Sequence, residues 1–427
     1  MKKPAKEPTR SQASMLTQLL APLAALVRGD LLALVHQLGM QAVALMLEAE
    51  RTELCGERYK HDPSRQATRA GSTRGELALG GRRVGVRRPR VTDHKGKEVP
   101  LETWTALATN DPLDFRALEQ MAIGVATRKY ARSLESLPVD VETRGTSKSA
   151  VSRRFVALTT EKLTEWMARP LGDLDLWAVF LDGIHFGEHV VLCALGVDAT
   201  GAKHVLGLWE GATENEVACK GMLENLVTRG LAPTRSRLFV IDGSKALRAA
   251  VRSVYGKRTL VQRCQVHKVR NVIGYLPEER HAEVRAAMRA AYKCNRIETA
   301  RRLLNNLART LQKKHPSAAA SLREGLDETL TVMGLGLSVS LTRSLSTTNP
   351  IENMNGRIRT TARRVKRWDE GTMILRWVLV GVLEAVRGFR RLKGHKDMKL
   401  FVARLRQHAE SSSVAQPTTV DAKRAAA

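Results

Sequence analysis

The chain has 427 residues, of which 43% are hydrophobic, so it can bury several cores and is expected to contain more than one domain. Lysine and arginine number 70 against 43 aspartates and glutamates, and the resulting formal net charge of +27 favours a polyanionic partner. An aromatic content of 4% argues against broad base-stacking surfaces. The five cysteines are scattered, so no disulfide framework is predicted. The apolar stretch near the start is interrupted by Pro22 and Arg28, so secretion is not expected, and no apolar run is long enough to span a membrane.

Residues 1–110 are predicted to form a helical arm followed by a basic hairpin. Residues 1–14 are polar and are not expected to fold, whereas residues 15–55 follow an amphipathic helical pattern with a break at Gly29 and Asp30.

The hairpin is predicted from the text "GELALGGRRVGVRRPRV". Leu77 and Val84 belong to alternating apolar positions on either side of a Gly80-Gly81 turn. The second strand is rich in arginine, which either protects a solvated sheet edge or contacts DNA phosphates; in so basic a chain we favour phosphate contact. These residues are Arg82, Arg83, Arg87, Arg88 and Arg90.

Residues 111–170 are predicted to form a helical domain that resembles a helix-turn-helix. The text "LDFRALEQMAIGVATRKYARSLESL" predicts two short helices, and a longer helix opens with "SKSAVSRR". In the DNA-binding interpretation residues 146–155 read bases while Val151 and Phe155 pack inward; in the alternative, this is a basic helix of an ordinary bundle. The groove-facing residues would be Ser147, Lys148, Ser149, Ser152, Arg153 and Arg154.

Residues 171–276 change to β-rich text. Three runs, "LWAVFLDGI", "HVVLCALGVD" and "KHVLGLWEG", are followed by alternating helices and strands, which predicts a mixed sheet with helices on both faces. This order is that of a ribonuclease-H-like α/β core. An all-helical insertion is predicted over residues 277–345, completion of the core over 346–400, and a final segment over 401–427 whose tail from Ser411 does not fold.

Two aspartates stand out within the predicted core. Asp182 interrupts the first apolar strand, and Asp242 ends the fourth. These strands are neighbours in the predicted arrangement, so the two carboxylates would lie close together and repel each other unless a cation lies between them. Mg²⁺ or Mn²⁺ fits such oxygen ligands, and a pair of ions about 3.5–4 Å apart can drive phosphodiester chemistry. An N-cap role is open to Asp242, although Ser244 can fill it.

Glu352, in "TTNPIENMNGRIR", is the predicted third ligand. The local pattern also allows a capping box, with Asn349 as the N-cap and Pro350 at the first helical position. A run of basic residues follows and supports a site that holds DNA; Arg359 and Arg363 would share the Glu352 face of the helix. These residues are Arg357, Arg359, Arg363, Arg364, Lys366 and Arg367.

Several motifs together resemble a known family. "LDGIHFGEHVVLCALGVDATGAKHVLGLWEGATENE", "LFVIDGSKALRAAV", "VQRCQVHKVRNVIGYLPEE", "STTNPIENMNGRIR" and "VKRWDEGTMILRWVLVG" occur in order over about residues 175–400. The chain is thereby similar to the Mutator-like bacterial insertion-sequence transposases. The resemblance implies a DDE transposase with a ribonuclease-H-like core, in which the three catalytic acids fall on Asp182, Asp242 and Glu352.

Cys264 and His267 match a Cys-x-x-His element of that family. From chemistry alone the pair is half a zinc site, and no second pair stands at a convincing spacing. We interpret both residues as an active-site wall or a structural element.

The predicted function is that of a transposase that binds the terminal inverted repeats of its element and carries out metal-dependent cleavage and strand transfer. The expected partners are element-end and target double-stranded DNA, bound by at least a homodimer, with no membrane; the expected location is the bacterial cytoplasm, at the nucleoid. Two alternatives remain open: a structure-specific nuclease on the same fold, and a non-catalytic helix-turn-helix protein.

Overall fold

A computed structural model describes the chain between residues 31 and 414 in two compact units, one ending at Leu158 and the other beginning at Thr159. The predicted polar segment 1–14, the first part of the predicted helix 15–55 and its break lie outside the described residues. None of the described helices is long and apolar enough to cross a membrane. Within this span the residues not described are 61, 110–111, 136, 138–140 and 212–214.

The first unit is built around the predicted hairpin. Strands β1 (Thr68–Leu79) and β2 (Arg82–Thr92) pair antiparallel, and Leu79 faces Arg82. Gly80 and Gly81 both have positive φ, 58° and 85°, as a two-residue hairpin turn requires. The prediction of a hairpin is therefore confirmed. Two short strands also pair with β2, and three helices belong to this part of the chain: β3 (Glu98–Val99), β4 (Thr143–Arg144), α1 (Leu31–Cys55), α2 (Glu102–Thr109) and α3 (Pro112–Ala122).

Only one of the two short helices predicted after residue 111 forms as an α-helix. After α3 the chain makes two 3-10 turns, Thr127–Lys129 and Ala131–Ser133. Gly124 has a φ of 97°, which ends the helical run, and the fully buried Tyr130 donates a hydrogen bond to the Gly81 carbonyl at 2.9 Å. The hairpin thus fixes this segment, and the prediction of a second short α-helix is wrong.

Helix α4 (Lys148–Ala168) is the long helix that the sequence predicts. Val151 and Phe155 are buried, as expected. The division between the two units falls inside this helix, whereas the sequence places a boundary after residue 170; the sequence-based domain boundaries remain predictions.

The second unit contains a mixed five-stranded sheet of order β7-β6-β5-β8-β9. The first three strands are antiparallel neighbours, and β8 and β9 add in parallel beside β5. Each forms where the sequence predicts a strand. Their bounds are β5 (Leu176–Phe186), β6 (His189–Asp198), β7 (Lys203–Gly211), β8 (Leu238–Ile241) and β9 (Leu260–Arg263).

Helices cover both faces of this sheet because alternate side chains of β5 point to opposite sides. Val179 and Leu181 pack with α5 (Glu216–Thr228) and α6 (Lys245–Tyr255). Phe180 and Ile184 pack on the other face, against three later helices. Those are α12 (Asn349–Ala362), α13 (Gly371–Arg387) and α14 (Met398–Val414).

The residues between β9 and α12 are helical, as predicted, and have a hydrophobic core of their own. Half-buried Glu328, in a 3-10 turn, accepts hydrogen bonds from Arg248 of α6 and Arg263 of β9, which ties this region back to the sheet. The helices are α7 (Gln265–Ile273), α8 (Glu278–Tyr292), α9 (Ile297–Gln312), α10 (Pro316–Arg323) and α11 (Val339–Leu345).

The end of the chain differs from prediction over four residues. An unfolded tail is predicted from Ser411, but α14 continues to Val414. Phe401 and Leu405 of this helix are fully buried in the core, and their burial holds the helix in place. Residues 415–427 lie outside the described chain.

Gln262 of β9 offers a test of how the helical region is attached. Its side chain is fully buried; Nε2 donates to the Thr329 carbonyl at 2.9 Å, and Oε1 accepts from the Val332 amide at 2.9 Å. We expect Gln262→Leu to lower the free energy of unfolding by roughly 1–3 kcal/mol, because the Val332 amide loses its partner and the Thr329 carbonyl keeps only the hydrogen bond from Gln265. Urea denaturation measures the change.

The matched control is Gln265→Leu, which removes a single donor to the same Thr329 carbonyl from a half-buried position. Its effect should be clearly smaller. Equal stability of Gln262→Leu and the parent protein would contradict this account of the attachment.

Candidate active site

Parallel pairing of β5 with β8 brings the two predicted aspartates together. Leu181 is the register partner of Ile241, and Asp182 and Asp242 are the next residues along each strand. In β5 the strand continues past Asp182, which pairs with Cys193 of β6. Asp242 lies where the chain leaves the sheet for α6. The predicted adjacency of the first and fourth core strands is therefore confirmed.

The environment of Asp182 disfavours its ionised form. Burial raises the pKa of Asp182 to about 7, and the negative charges of Asp242 and Glu352 act in the same direction. The charge of His267 and, to a smaller extent, a 2.7 Å hydrogen bond from Asn355 Nδ2 to Asp182 Oδ2 oppose the rise only in part. The site therefore carries more negative charge than its protein neighbours balance.

Asp242 is not the cap of the helix that follows it. Ser244 is the N-cap of α6, and its Oγ accepts from the Leu247 amide at 3.2 Å. Asp242 Oδ1 accepts only from the Ser244 amide, at 2.8 Å, among the hydrogen bonds found in the described chain. Helix capping therefore leaves the second carboxylate oxygen of Asp242 available to another ligand.

Glu352 lies in the first turn of α12, but the predicted capping box is wrong. The N-cap is Thr348 rather than Asn349, and the Glu352 carboxylate accepts from the Thr348 hydroxyl at 2.5 Å instead of from a backbone amide. The start of the helix is fixed by tertiary contacts: the Thr348 amide donates to Cys264 Sγ at 3.4 Å, and the Gln265 amide donates to the Ser346 carbonyl at 3.0 Å. Helix capping therefore does not explain the glutamate.

Cys264 and His267 form one wall beside Glu352. His267 Nδ1 lies 3.7 Å from Glu352 Oε1 and 3.3 Å from Thr348 Oγ1. A hydrogen bond with Cys264 raises the pKa of His267, and Glu352 and Asp242 add to the rise. Burial acts to raise the pKa of the Cys264 thiol, but hydrogen bonds from His267 and Thr348 outweigh it, so this pKa lies below its usual value. Both residues thus lie beside Glu352; their role as an active-site wall or a structural element remains a prediction.

The three predicted acids are neighbours, Asp182 and Asp242 through the sheet and Glu352 through α12. Asn355 follows Glu352 by one helical turn on α12 and contacts Asp182, and the charge of Glu352 acts on the pKa of that aspartate. Asn355 is fully buried, and its Oδ1 has no hydrogen-bond partner in the described part of the chain. Three carboxylates, one with its pKa raised to about 7, and an unpartnered buried amide oxygen are donors of the kind that a hard divalent cation takes. The ligand atoms of the three acids do not all lie within 4.8 Å of one another, so such a cation would draw them closer together.

Sequence reasoning did not find Asn355 or Thr348. For Asn355, the helical period could have indicated a place at the site, because this residue is three positions past Glu352 and shares its face of the helix. An asparagine on a helix gives no sign of its partner, however, and Asp182 is 173 residues away in sequence.

The basic residues after Glu352 place positive charge on the later part of α12 and on the turn after it. All of them are exposed, and none forms an ion pair or side-chain hydrogen bond with a residue that the structure describes. Arg359 is close enough to the sheet for its charge to act on the pKa of Cys193, the strand partner of Asp182. These unpaired residues are Arg359, Arg363, Arg364, Lys366 and Arg367.

The arginines of β2 are arranged differently. Arg88 and Arg90 both pair with Glu98, at 3.0 and 3.1 Å, and Arg82 donates to the Glu135 carbonyl. Arg87 is exposed and has no such partner among the described residues. The strand thus presents less free positive charge than its sequence suggests; phosphate contact by the five arginines remains a prediction.

One of the basic residues at the start of α4 makes a hydrogen bond within the protein, and two others are exposed. Arg154 donates to the Gly145 carbonyl at 2.7 Å, whereas Lys148 and Arg153 are exposed and Ser152 is half-buried. Base reading by this helix also remains a prediction.

Comparisons with known proteins point to one class of enzyme. The family described as "Transposase, Mutator family" matches residues 10–389. The chain is 27% identical over 329 residues, 74% of its length and 80% of the relative's, to the "Transposase for insertion sequence element IS256 in transposon Tn4001" of Staphylococcus aureus. It is 30% identical over 265 residues, 60% of its length and 66% of the relative's, to the "Transposase for insertion sequence element IS406" of Burkholderia multivorans.

The raised pKa of Asp182 predicts a pH-dependent stability difference in metal-free buffer. A carboxyl of this kind stabilises the fold while protonated, and the contribution is lost as pH rises from about 4, its pKa in the unfolded chain, through about 7. Asp182→Asn removes the titration. We expect the variant to be more stable than the parent at pH 8, by roughly 2–4 kcal/mol, and close to it near pH 4. Denaturant unfolding at several pH values measures the difference.

Asp327→Asn is the control, because that side chain is 76% exposed and pairs with Arg301 on the surface. Its difference from the parent should hardly vary with pH. An Asp182→Asn variant that is less stable than the parent at pH 8 would contradict the electrostatic account of the site.

Proposed function

The chain belongs to the Mutator family of transposases, and from this we propose that it is a DDE transposase whose acids Asp182, Asp242 and Glu352 cut and join DNA with the help of divalent metal. The family implies DNA cleavage and strand transfer as the activity and DNA as a partner. The observation that carries the residue assignment is the convergence of the three carboxylates, through β5–β8 pairing and the contact of α12 with Asp182.

The topology supports a ribonuclease-H-like description of the core. Three antiparallel strands precede two parallel strands in the order β7-β6-β5-β8-β9, and helices lie on both faces. The helical stretch between β9 and α12 has its own core, which agrees with an insertion ahead of the catalytic glutamate.

The three acids share one part in the proposed mechanism, and two neighbouring side chains orient them. Asp182, Asp242 and Glu352 would hold Mg²⁺ or Mn²⁺, expected as a pair of ions, which activates the attacking hydroxyl and stabilises the leaving oxygen of the phosphodiester. Asn355 orients the Asp182 carboxylate through one oxygen and leaves the other free. The Thr348 hydroxyl orients Glu352 in the same way. Water hydrolyses the phosphodiester at the element end and leaves a 3′-hydroxyl. That hydroxyl then attacks a phosphorus of the target, and a new phosphodiester forms as the 3′-oxygen of the cut target strand leaves.

Positive charge beside the acids would hold the DNA strand. The unpaired basic residues of α12 and the turn after it can contact phosphates without first breaking an ion pair within the protein. Exposed residues of α4, together with Arg87 of β2, would add contacts to the terminal inverted repeats. Pairing of two ends calls for at least a homodimer on DNA.

Replacement of one acid tests the catalytic assignment. We expect Asp182→Asn to bind labelled element ends normally but to lose metal-dependent cleavage and joining by about 10³-fold or more, because residues of a catalytic set act as a unit. Denaturing gels resolve the products. Glu224→Gln is the control, since that glutamate is 58% exposed and pairs with Lys220.

Near-normal strand transfer by Asp182→Asn would refute the assignment. Cleavage without any end-to-target product in the parent protein would instead favour a structure-specific nuclease, and DNA binding without either reaction would favour a non-catalytic binding protein.

Salt dependence tests the contact between DNA and the basic end of α12. Arg359→Gln should weaken binding across DNA sequences and reduce the slope of log affinity against log salt by about 1, because one phosphate contact is lost. Fluorescence anisotropy at several salt concentrations measures the slope.

Arg301→Gln removes the same charge from a residue that already pairs with Asp327 at 2.8 Å, so it controls for net charge. Identical slopes for the two variants would show that the position of Arg359 beside the site is unimportant.

A further inference from the structure

One group of side chains beside the acids combines Glu352 with a sulfur ligand and a nitrogen ligand. Cys264, His267 and Glu352 each offer one ligand atom, and these atoms all lie within 4.8 Å of one another. With metal–sulfur and metal–nitrogen bonds of about 2.0–2.3 Å, only a small movement of these side chains brings all three to a single ion. Among the described residues, this is the one group of three histidine, cysteine, aspartate or glutamate side chains whose ligand atoms lie this close together.

We propose that Cys264, His267 and Glu352 form a second metal site, selective for a soft divalent cation such as Zn²⁺, whose occupation withdraws Glu352 from the other two acids. Thiolate and imidazole favour zinc, whereas Mg²⁺ favours oxygen ligands. Three protein ligands and one open position give the tetrahedral arrangement usual for zinc with a bound water.

The surroundings are already organised for these ligands. Cys264 is fully buried at the N-terminus of α7, and its sulfur accepts the Thr348 amide at 3.4 Å. His267, one turn later, faces Glu352 with Nδ1, which is 3.7 Å from Oε1. Glu352 has two carboxylate oxygens, so it can keep the hydrogen bond from the Thr348 hydroxyl through one while the other binds the cation.

Glu352 is shared, and that gives the second site a consequence. A carboxylate bound to zinc beside Cys264 is not available to Asp182 and Asp242, so zinc should compete with magnesium for the active arrangement. This consequence rests on the proposed function, but the binding of zinc itself does not.

Cobalt binding tests the site without any DNA reaction. Co²⁺ reports a cysteine ligand through a sulfur-to-metal charge-transfer absorption in the near ultraviolet and tetrahedral geometry through its visible bands. We expect the full chain, in a thiol-free reductant, to show both and to lose them when Zn²⁺ is added. Loss of a residue that only supports a metal ligand weakens metal binding by ~10–100-fold. Cys264→Ser and His267→Asn each remove a ligand itself, so each should weaken zinc binding by more than that.

Cys294→Ser is the matched control, because that cysteine lies at the surface of the helical region and is not part of the group. It should leave the cobalt spectrum unchanged. Should either site variant fail to fold, the other still tests the proposal, since each removes a different ligand. A parent spectrum without a charge-transfer band, or one that persists in Cys264→Ser, would overturn the proposal.

Inhibition is measured separately from binding. Low concentrations of zinc should inhibit Mg²⁺-dependent cleavage by the parent protein. The half-inhibitory zinc concentration should be at least ~10-fold higher for Cys264→Ser. Each protein's cleavage is expressed as a fraction of its own activity without zinc. Equal inhibition of both proteins would overturn the competition. A Glu352→Gln variant that cleaves normally would instead refute the catalytic assignment and leave the cobalt result standing.

Discussion

Parallel pairing of β5 with β8 is the constraint on which the site depends. The pairing sets Leu181 opposite Ile241, and the next residue on each strand is an aspartate. The hydrogen bonds of the ladder fix this register, so the two carboxylates are held together whether or not their charges repel. The repulsion affects Asp182. Burial, together with the negative charge of its neighbours, raises the pKa of this residue to about 7. The proposed binding of a divalent cation would relieve this repulsion.

The third acid reaches the site through a helix rather than a strand. α12 packs on the sheet face that carries Phe180 and Ile184, and Asn355 links it to Asp182. The segment before the helix is joined to the β9–α7 junction, where Thr348 contacts Cys264 and Gln265 contacts Ser346. The helical region between β9 and α12 can therefore be long, because both of its ends are fixed beside the same edge of the sheet.

Charge is distributed in a way that suits a DNA-cutting enzyme. The basic residues that follow Glu352 have no carboxylate partners in the described chain, whereas Arg88 and Arg90 of the hairpin share Glu98. An unpaired arginine loses no protein ion pair when it binds a phosphate, so the α12 end of the molecule is the better prepared of the two surfaces. Cys264 and His267 add a softer set of ligands that borders the acids and includes one of them.

The sequence alone determined the strands of the core and singled out the candidate acids. Alternating apolar residues specify each strand of the sheet, and an aspartate in the middle of such a strand has no structural explanation of its own, which is why Asp182 and Asp242 could be selected. Tertiary structure decided what depends on distant partners. Local rules put the N-cap of α12 at Asn349 and a second short helix after α3, but contacts of Thr348 with Cys264 and of Tyr130 with Gly81 override them. Asn355 and the Cys264–His267–Glu352 group likewise depend on packing between segments far apart in the chain, which no local pattern encodes.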